Sequence, residues 1–496
     1  MKGIDVYQGE SKNGVGSALK ATPEKAYKES DFVIVKATQG TSYKYTEFFN
    51  NMIKRTLADG KLGGAYHYAA GNDATKEADY FVSIVKPYVG KIILVLDWES
   101  IQNKSWGSTT WAKKFVDRVK ERTGVTCFLY TGSDGCKQCS NLIGVTPLWF
   151  AGYPKPQKTN WTIPTFKYDL GKWKNYAIWQ YTSSNEVIDR NTTNLTRVDW
   201  LRHAGMKESE IVLTLLAEYS DYIKAHAKYF YRNYDGTLTT FAKAKALADA
   251  KKKVGITCVV PLRWALAEMG LKNSKGTYLI SGDNGSFGSY YSGDMKLHLT
   301  KISSGTVIGL TVKQAIDKKL LKPGDIICYK AHTHTSVYSG DKYNFFEGGS
   351  QSANKGFVTG VKINYEKYGY KISEILRWKE TGTTTTTSTT TTTTTTAKTS
   401  TKSKYTGEIP ALPPRGYYML GDGITTLKDY PTQIKRVQKA LNFALTGVKG
   451  FKALTVDSKF GMLTRDAVKL YQKTYKLTVD GLWGKQCNSK LKTISK

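Results

Sequence analysis

In the stretch KIILVLDWES, Lys91 to Ser100, an apolar run from Ile92 to Leu96 leads up to two carboxylates, Asp97 and Glu99, with Trp98 between them. In an extended strand, residues two apart point to one side about 7 Å from each other, so Asp97 and Glu99 project together and Trp98 turns into packing. Two carboxylates in one pocket cannot both ionise freely, and one keeps its proton while the other stays charged. Glycoside hydrolysis needs that division: an acid for the leaving oxygen and a negative group beside an oxocarbenium-like state. A strand end that simply turns polar at the surface would carry the same residues, and spacing alone does not separate the two readings.

A second candidate is Cys258 in VGITCVVPLRWALAEMG, just ahead of an apolar helical run. A thiol at a helix N-terminus has its thiolate favoured by the helix dipole, and Pro261 sits where a first turn tolerates proline. A buried structural cysteine is the competing reading. Far downstream, LLKPGDIICYKAHTHTSVYSGDKYNFFEGGS reads as a Pro-Gly turn followed by strands, one of them opening at His334. His332 and His334 form H-x-H, but a zinc site needs three or four ligands and none is supplied nearby, so no metal or other cofactor is expected. Cys328, at a strand position, reads as core. Cys136 and Cys139 form a lone C-x-x-C that reads as a surface loop, with metal or redox use as the alternative.

The elements that would position these groups come in a rhythm. Strand-like runs DFVIVKATQG, LGGAYHYAAG, IILVLDWES, CFLYTGS, PLWFAGY and AIWQYTSS alternate with helical or polar stretches. Such alternation predicts a parallel sheet buried on both faces. The runs end in Lys36, His67, Asp97, Tyr130, Trp149 and Gln180, and a β/α barrel (TIM-like) places its chemistry at those carboxyl ends. A doubly wound sheet is the rival, but no G-x-G-x-x-G follows the first strand. From Glu208 the texture becomes helical and then strand-rich, an α+β order that predicts a second domain over 207–380. Residues 381–405 are a Thr-rich linker with almost nothing to bury, able to span up to about 80 Å. In the last segment, 406–496, LTVDSKFGMLT (454–464) recurs as LTVDGLWGKQC (477–487), an internal repeat between helical runs.

The 496-residue chain carries a formal charge of +32, spread along its length. That excess favours polyanionic surroundings, including the anionic polymers of a cell wall, while no nucleic-acid-binding motif supports a DNA or RNA partner. No apolar run is long enough for a membrane span. The chain opens MKGIDVYQG with no apolar signal core, which reads as synthesis in the cytoplasm with the cysteines kept reduced.

GIDVYQG, VKATQG, GAYHYAAG, LVLDWES, LWFAGY and WQYTSSNEVIDRN, in that order, resemble glycoside hydrolase family 25 lysozymes over residues 1–203. The resemblance implies Glu99 as general acid, with Asp5, Asp97 and Asp189 orienting the N-acetyl group and stabilising charge. Lys36, Tyr66, Tyr130, Trp149 and Gln180 would line the sugar groove. KATQG carries Gln39 where that family often has Glu. Cys258 at a helix head, PGD, and the His334, Val337, Tyr338, Gly340 pattern resemble the NlpC-type cysteine peptidase superfamily, a papain-like α+β fold. That implies Cys258 as nucleophile, His334 as base and Glu347 as orienter, although TCVV replaces the usual D-C-S/G. Residues 417–493 resemble a three-helix peptidoglycan-binding domain. From residue 405 onward, 16 Lys and Arg face 6 acids, a net +10 suited to an anionic wall. The whole resembles a modular endolysin of phage type. The resemblance implies two cuts in Gram-positive peptidoglycan and action on the wall after release from the host cytoplasm. A sporulation or autolytic enzyme with an inactive central domain is the alternative.

Overall fold

The computed structural model describes residues 1–157, 160–183, 188–232, 240–271, 294–329, 334–340, 345–348, 357–358, 371–379, 405–414, 416–418, 422, 430–446, 448, 451, 453–460, 462–475, 477 and 481–494. The Thr-rich tract at 381–404 and His332 lie outside them. The chain divides into two compact units, 1–386 and 387–496.

The first unit opens with a closed eight-stranded barrel: β1 (Lys2–Val6), β2 (Phe32–Gln39), β3 (Leu62–Tyr68), β4 (Ile92–Asp97), β5 (Phe128–Thr131), β6 (Leu148–Ala151), β7 (Ile178–Gln180) and β8 (Arg190–Thr193). Helices α1 (Ala21–Glu29), α2 (Thr46–Ala58), α3 (Ala74–Val85), α4 (Thr109–Thr123) and α5 (Ser133–Gln138) separate the first six strands. β1 to β7 pair in parallel, but β8 runs antiparallel to both β7 and β1. The barrel therefore departs from eight parallel strands; the six apolar runs are β2 to β7, with β1 and the polar β8 outside them. The reversal puts the start of β8, and with it Asp189, at the carboxyl end of the other strands.

Strand alternation sorts the side chains. Ile34, Ile93, Val95 and Trp149 fall in one core cluster, Val33, Val35, Leu94 and Leu96 in another shared with α2, α3 and α4. The C-x-x-C is a correction: Cys136 and Cys139 are fully buried in that second cluster, and burial pushes both thiols up to about 12. They pack the barrel rather than decorate a loop. At the amino ends of the strands α6 (Arg197–His203) closes the barrel, with the Trp200 ring tilted against Phe32 at 4.7 Å and donating from Nε1 to the Gly63 carbonyl at 3.0 Å.

The chain continues into α7 (Glu208–Ala225), β9 (Phe230–Arg232), α8 (Phe241–Asp249), β10 (Val254–Ile256) and α9 (Val260–Glu268). Leu215, Leu216, Trp264 and Leu266 join the same cluster as Trp200 and Leu201, so the apolar core is continuous between the two regions. After α10 (Asp294–His298) come β11 (Leu299–Ile302), α11 (Val312–Asp317), β12 (Ile326–Tyr329), β13 (His334–Tyr338), β14 (Phe345–Gly348), β15 (Phe357–Val358) and β16 (Ile372–Trp378). The strands form an antiparallel sheet in the order β11-β16-β12-β13-β14-β15. One face, with Ile326, Cys328, Val337 and Leu376, packs with α7 and α9; the other, with Ile327, Tyr329, Tyr338 and Ile375, packs with α11.

In the second unit α12 (Pro431–Ala444), α13 (Met462–Thr474) and α14 (Lys485–Ile494) surround Ile434, Leu441, Tyr471 and Trp483, beside the short pair β17 (Tyr417–Tyr418) and β18 (Trp483–Gly484). The repeat is structural. Gln438 on α12 donates to Asp457 Oδ1 at 2.8 Å and accepts from the Asp457 and Ser458 amides at 3.0 and 3.1 Å. Gln472 on α13 donates to the Leu482 carbonyl at 3.0 Å and accepts from the Gly481 amide at 2.9 Å. Ser458 and Gly481, equivalent in the repeat, both have left-handed backbone, at φ 64° and 75°. Each copy is a turn stapled by a buried glutamine of the preceding helix.

Candidate active site

Asp97 ends β4 and is buried; Glu99, two residues on, is partly exposed. Trp98 points the other way, fully buried, with Trp111 at 5.3 Å and Trp106 at 5.8 Å. The pair thus shares one side, as the alternation requires. Asp97 and Glu99 line a cavity of about 270 Å³ at the carboxyl ends of the strands, together with Asp5, Lys36, Tyr66, Tyr130, Trp149, Gln180 and Asp189. All nine residues that the barrel motifs single out meet there. His67 does not: it faces outward, donating or accepting between Thr38 Oγ1 and Glu77 Oε2, each at 2.8 Å. It belongs to the scaffold, because alternation gives the interior to Tyr66 and Tyr68 instead.

Tyr7, Tyr68, Tyr153 and Ser183 also line the cavity. Tyr7 and Tyr68 lie two residues beyond Asp5 and Tyr66, and strand parity could have found them. Asn191 had no such signal, since it sits in the polar β8. It donates from Nδ2 to Asp5 Oδ1 at 2.7 Å and accepts from Trp149 Nε1 at 2.8 Å. Gln180 accepts from the Tyr130 and Tyr153 hydroxyls at 2.7 and 2.5 Å, which turns its Nε2 onto Asp5 at 2.8 and 3.0 Å.

The electrostatics follow from burial. Desolvation pushes the Asp5 carboxyl up to about 6, against the pull of its Gln180 and Asn191 hydrogen bonds and helped by the Glu99 charge. Asp97 lies well above the ordinary carboxyl range, through burial first and then Glu99, while Lys36 opposes the rise. Asp97 Oδ1 is buried with no hydrogen-bond partner among the described residues. Glu99 is raised by burial, again opposed by Lys36. The Lys36 ammonium is itself held below its usual range by burial, with Asp97 and Glu99 acting to raise it. A cavity holding several carboxyls near their titration range, one cation and many aromatic faces can both donate a proton and stabilise positive charge.

The central candidates are placed differently. Cys258 lies two residues before α9, partly exposed, and packs beside the face that holds Cys328, whose thiol is raised by burial. On β13, Thr335 reaches Cys328 Sγ at 3.9 Å and Val337 joins that same cluster. His334 has the opposite parity: it stacks at 5.8 Å on Tyr329, on the face with Ser336 and Tyr338. Glu347 lies on β14 opposite Val358, and its side chain falls outside the described residues. Among the described residues no three His, Cys, Asp or Glu side chains gather to hold a metal ion, and no helix is long and apolar enough to cross a membrane.

Residues 4–189 match the glycosyl hydrolases family 25, and residues 431–491 match a peptidoglycan binding domain family. An N,O-diacetylmuramidase of Chalaropsis sp is 30% identical over 191 residues, covering 34% of this chain and 87% of that protein. An N,O-diacetylmuramidase of Arthroderma benhamiae is 27% identical over 184 residues, covering 34% and 75%. Lysozyme M1 of Streptomyces globisporus is 27% identical over 187 residues, covering 33% and 60%.

Proposed function

The chain belongs to glycosyl hydrolases family 25, and from that premise we propose that its barrel is a muramidase cutting between N-acetylmuramic acid and N-acetylglucosamine. One observation carries this reading: Asp97 and Glu99 share a barrel-end cavity in which burial raises both carboxyls. Glu99, the more exposed of the two, donates its proton to the glycosidic oxygen as the bond to the anomeric carbon breaks. Water then supplies hydroxide to that carbon, and its proton returns to a carboxylate. In their ionised forms, Asp5 and Asp97 stabilise the positive charge that develops in between. The unpartnered Asp97 Oδ1 is an acceptor suited to the N–H of an N-acetyl group. Lys36, Tyr66, Tyr130, Trp149 and Gln180 form the groove, and Asp189, which also lines it, joins the aspartates that orient the N-acetyl group and stabilise charge. Borohydride reduction of digested peptidoglycan tests the bond: muramitol at the new ends supports the reading, and glucosaminitol overturns it.

The C-terminal unit holds the enzyme on peptidoglycan, its positive charge adding attraction to anionic wall polymers of a Gram-positive target. Such a modular hydrolase suits release of phage from its host, where it is made in the cytoplasm and reaches the wall on lysis. An autolytic or sporulation enzyme uses the same parts.

The central region has a second reading, a cysteine peptidase or amidase acting on stem peptides. It rests on the partly exposed Cys258 thiol just before α9, against an antiparallel sheet. His334 opens β13 on the face with Ser336 and Tyr338, and it is the base this reading requires. Loss of new peptide or amide termini in Cys258→Ala would sustain this reading; unchanged termini would end it.

A further inference from the structure

We infer that Gln39 is a positioning residue of the barrel site, leaving the Lys36 charge to Asp97 and Glu99 while tying the segment after Glu99 to β2. The inference rests on the muramidase reading above. Lys36 donates from Nζ to Gln39 Oε1 at 2.8 Å, and the other end of the same amide donates to Gln102 Oε1 at 2.9 Å. Gln102 follows Glu99 by three residues and holds a left-handed backbone at φ 59°, a conformation that a non-glycine residue adopts only when its surroundings compensate. Beside it the Tyr68 hydroxyl donates to the Ile101 carbonyl at 2.6 Å, so the segment is held from both β2 and β3.

The amide is suited to both tasks. Lys36 also lies over the rings of Tyr68 and Tyr43, at 4.6 and 5.4 Å, and these contacts, like Gln39, are neutral. Of the four carboxyls that share its cavity, Asp97 and Glu99 are the ones that feel its charge. A carboxylate at position 39 would take that charge into a direct ion pair, add negative charge beside Asp97 and Glu99, and lose the donor that reaches Gln102.

The test is a pH–rate profile of the full chain on purified peptidoglycan, read as new reducing ends, for wild type, Gln39→Glu, Gln39→Met and Gln102→Ala. Gln39→Glu is expected to move both limbs upward by about 0.5 to 1 pH unit, because added negative charge makes each carboxyl harder to ionise. Gln39→Met and Gln102→Ala lose the tie without adding charge; their rates fall about 3- to 10-fold while their limbs stay with wild type. Limbs of a folded Gln39→Glu that coincide with wild type, or an equal shift in Gln39→Met, overturn the inference. A wild type that makes no reducing ends overturns the muramidase reading, and this inference with it.

Discussion

Gln180, at the end of β7, donates from one amide nitrogen to both oxygens of Asp5 on β1, at 2.8 and 3.0 Å. The amide cannot turn over without setting its NH2 against two tyrosine hydroxyls already donating to Oε1. Gln180→Met removes both donors and the acceptor. The initial rate of reducing-end release should fall about a hundredfold, with the fold intact by circular dichroism, because a misplaced site carboxylate costs orientation. A rate within threefold of wild type would mean that Asp5 needs no such support.

Asp5 also makes stability depend on pH. Its carboxyl is raised from 3.8 to about 6 in the folded chain, so the unfolded chain releases that proton first. The contribution of Asp5 to stability is full below its unfolded value and is lost as pH rises through the folded one, about 3 kcal/mol in all. Asp5→Asn lacks the titration. Its stability relative to wild type, from urea unfolding, should therefore climb between pH 4 and pH 7. A difference independent of pH would contradict a raised Asp5.

Behind the site, Glu77 accepts from His67 Nε2 at 2.8 Å and from the Ala70 and Asn72 amides at 3.0 and 2.6 Å. Burial holds His67 below its usual range, so the neutral ring donates to the carboxylate. The loop these bonds fix also carries Gly71, where a Cβ would come within 2.3 Å of the Ser105 amide. Glu77→Ala leaves buried donors unpaired and should cost about 3 to 5 kcal/mol in urea unfolding. A cost under about 1 kcal/mol would show that water replaces the carboxylate.

In the C-terminal unit the two stapled turns give opposite expectations. Ser458 occupies a left-handed position that its counterpart fills with Gly481, so Ser458→Gly should stabilise the unit by about 0.5 to 1 kcal/mol. Gln438→Ala removes the bonds to residues 457–459 and should destabilise it by about 1 to 3 kcal/mol, weakening retention on purified wall. Calorimetry of the full chain checks both signs.

Much of the barrel was legible because apolar strands with polar ends leave a period-two record. Asp97, Glu99 and the outward Trp98 follow from it directly. β8 left no such record: its four residues, Arg190 to Thr193, are polar yet buried, since they serve the site and the ladder rather than the apolar core. Asn191 was hidden for that reason. His67 misled because a polar residue at a strand end can face either way. The buried C-x-x-C misled because cysteine packs as a small apolar residue. In the central region, motif order suggests a Cys–His pair, whereas the face on which His334 lies is set by its register with β12, and a single sequence does not carry register.

The most direct measurement is a parallel digest of purified Gram-positive peptidoglycan by wild type, Glu99→Gln and Cys258→Ala, with fragments identified by mass spectrometry. New reducing N-acetylmuramic acid ends should appear with wild type and Cys258→Ala and vanish with Glu99→Gln. Reducing ends that persist at the wild-type rate in a folded Glu99→Gln would contradict the assignment of the barrel acid.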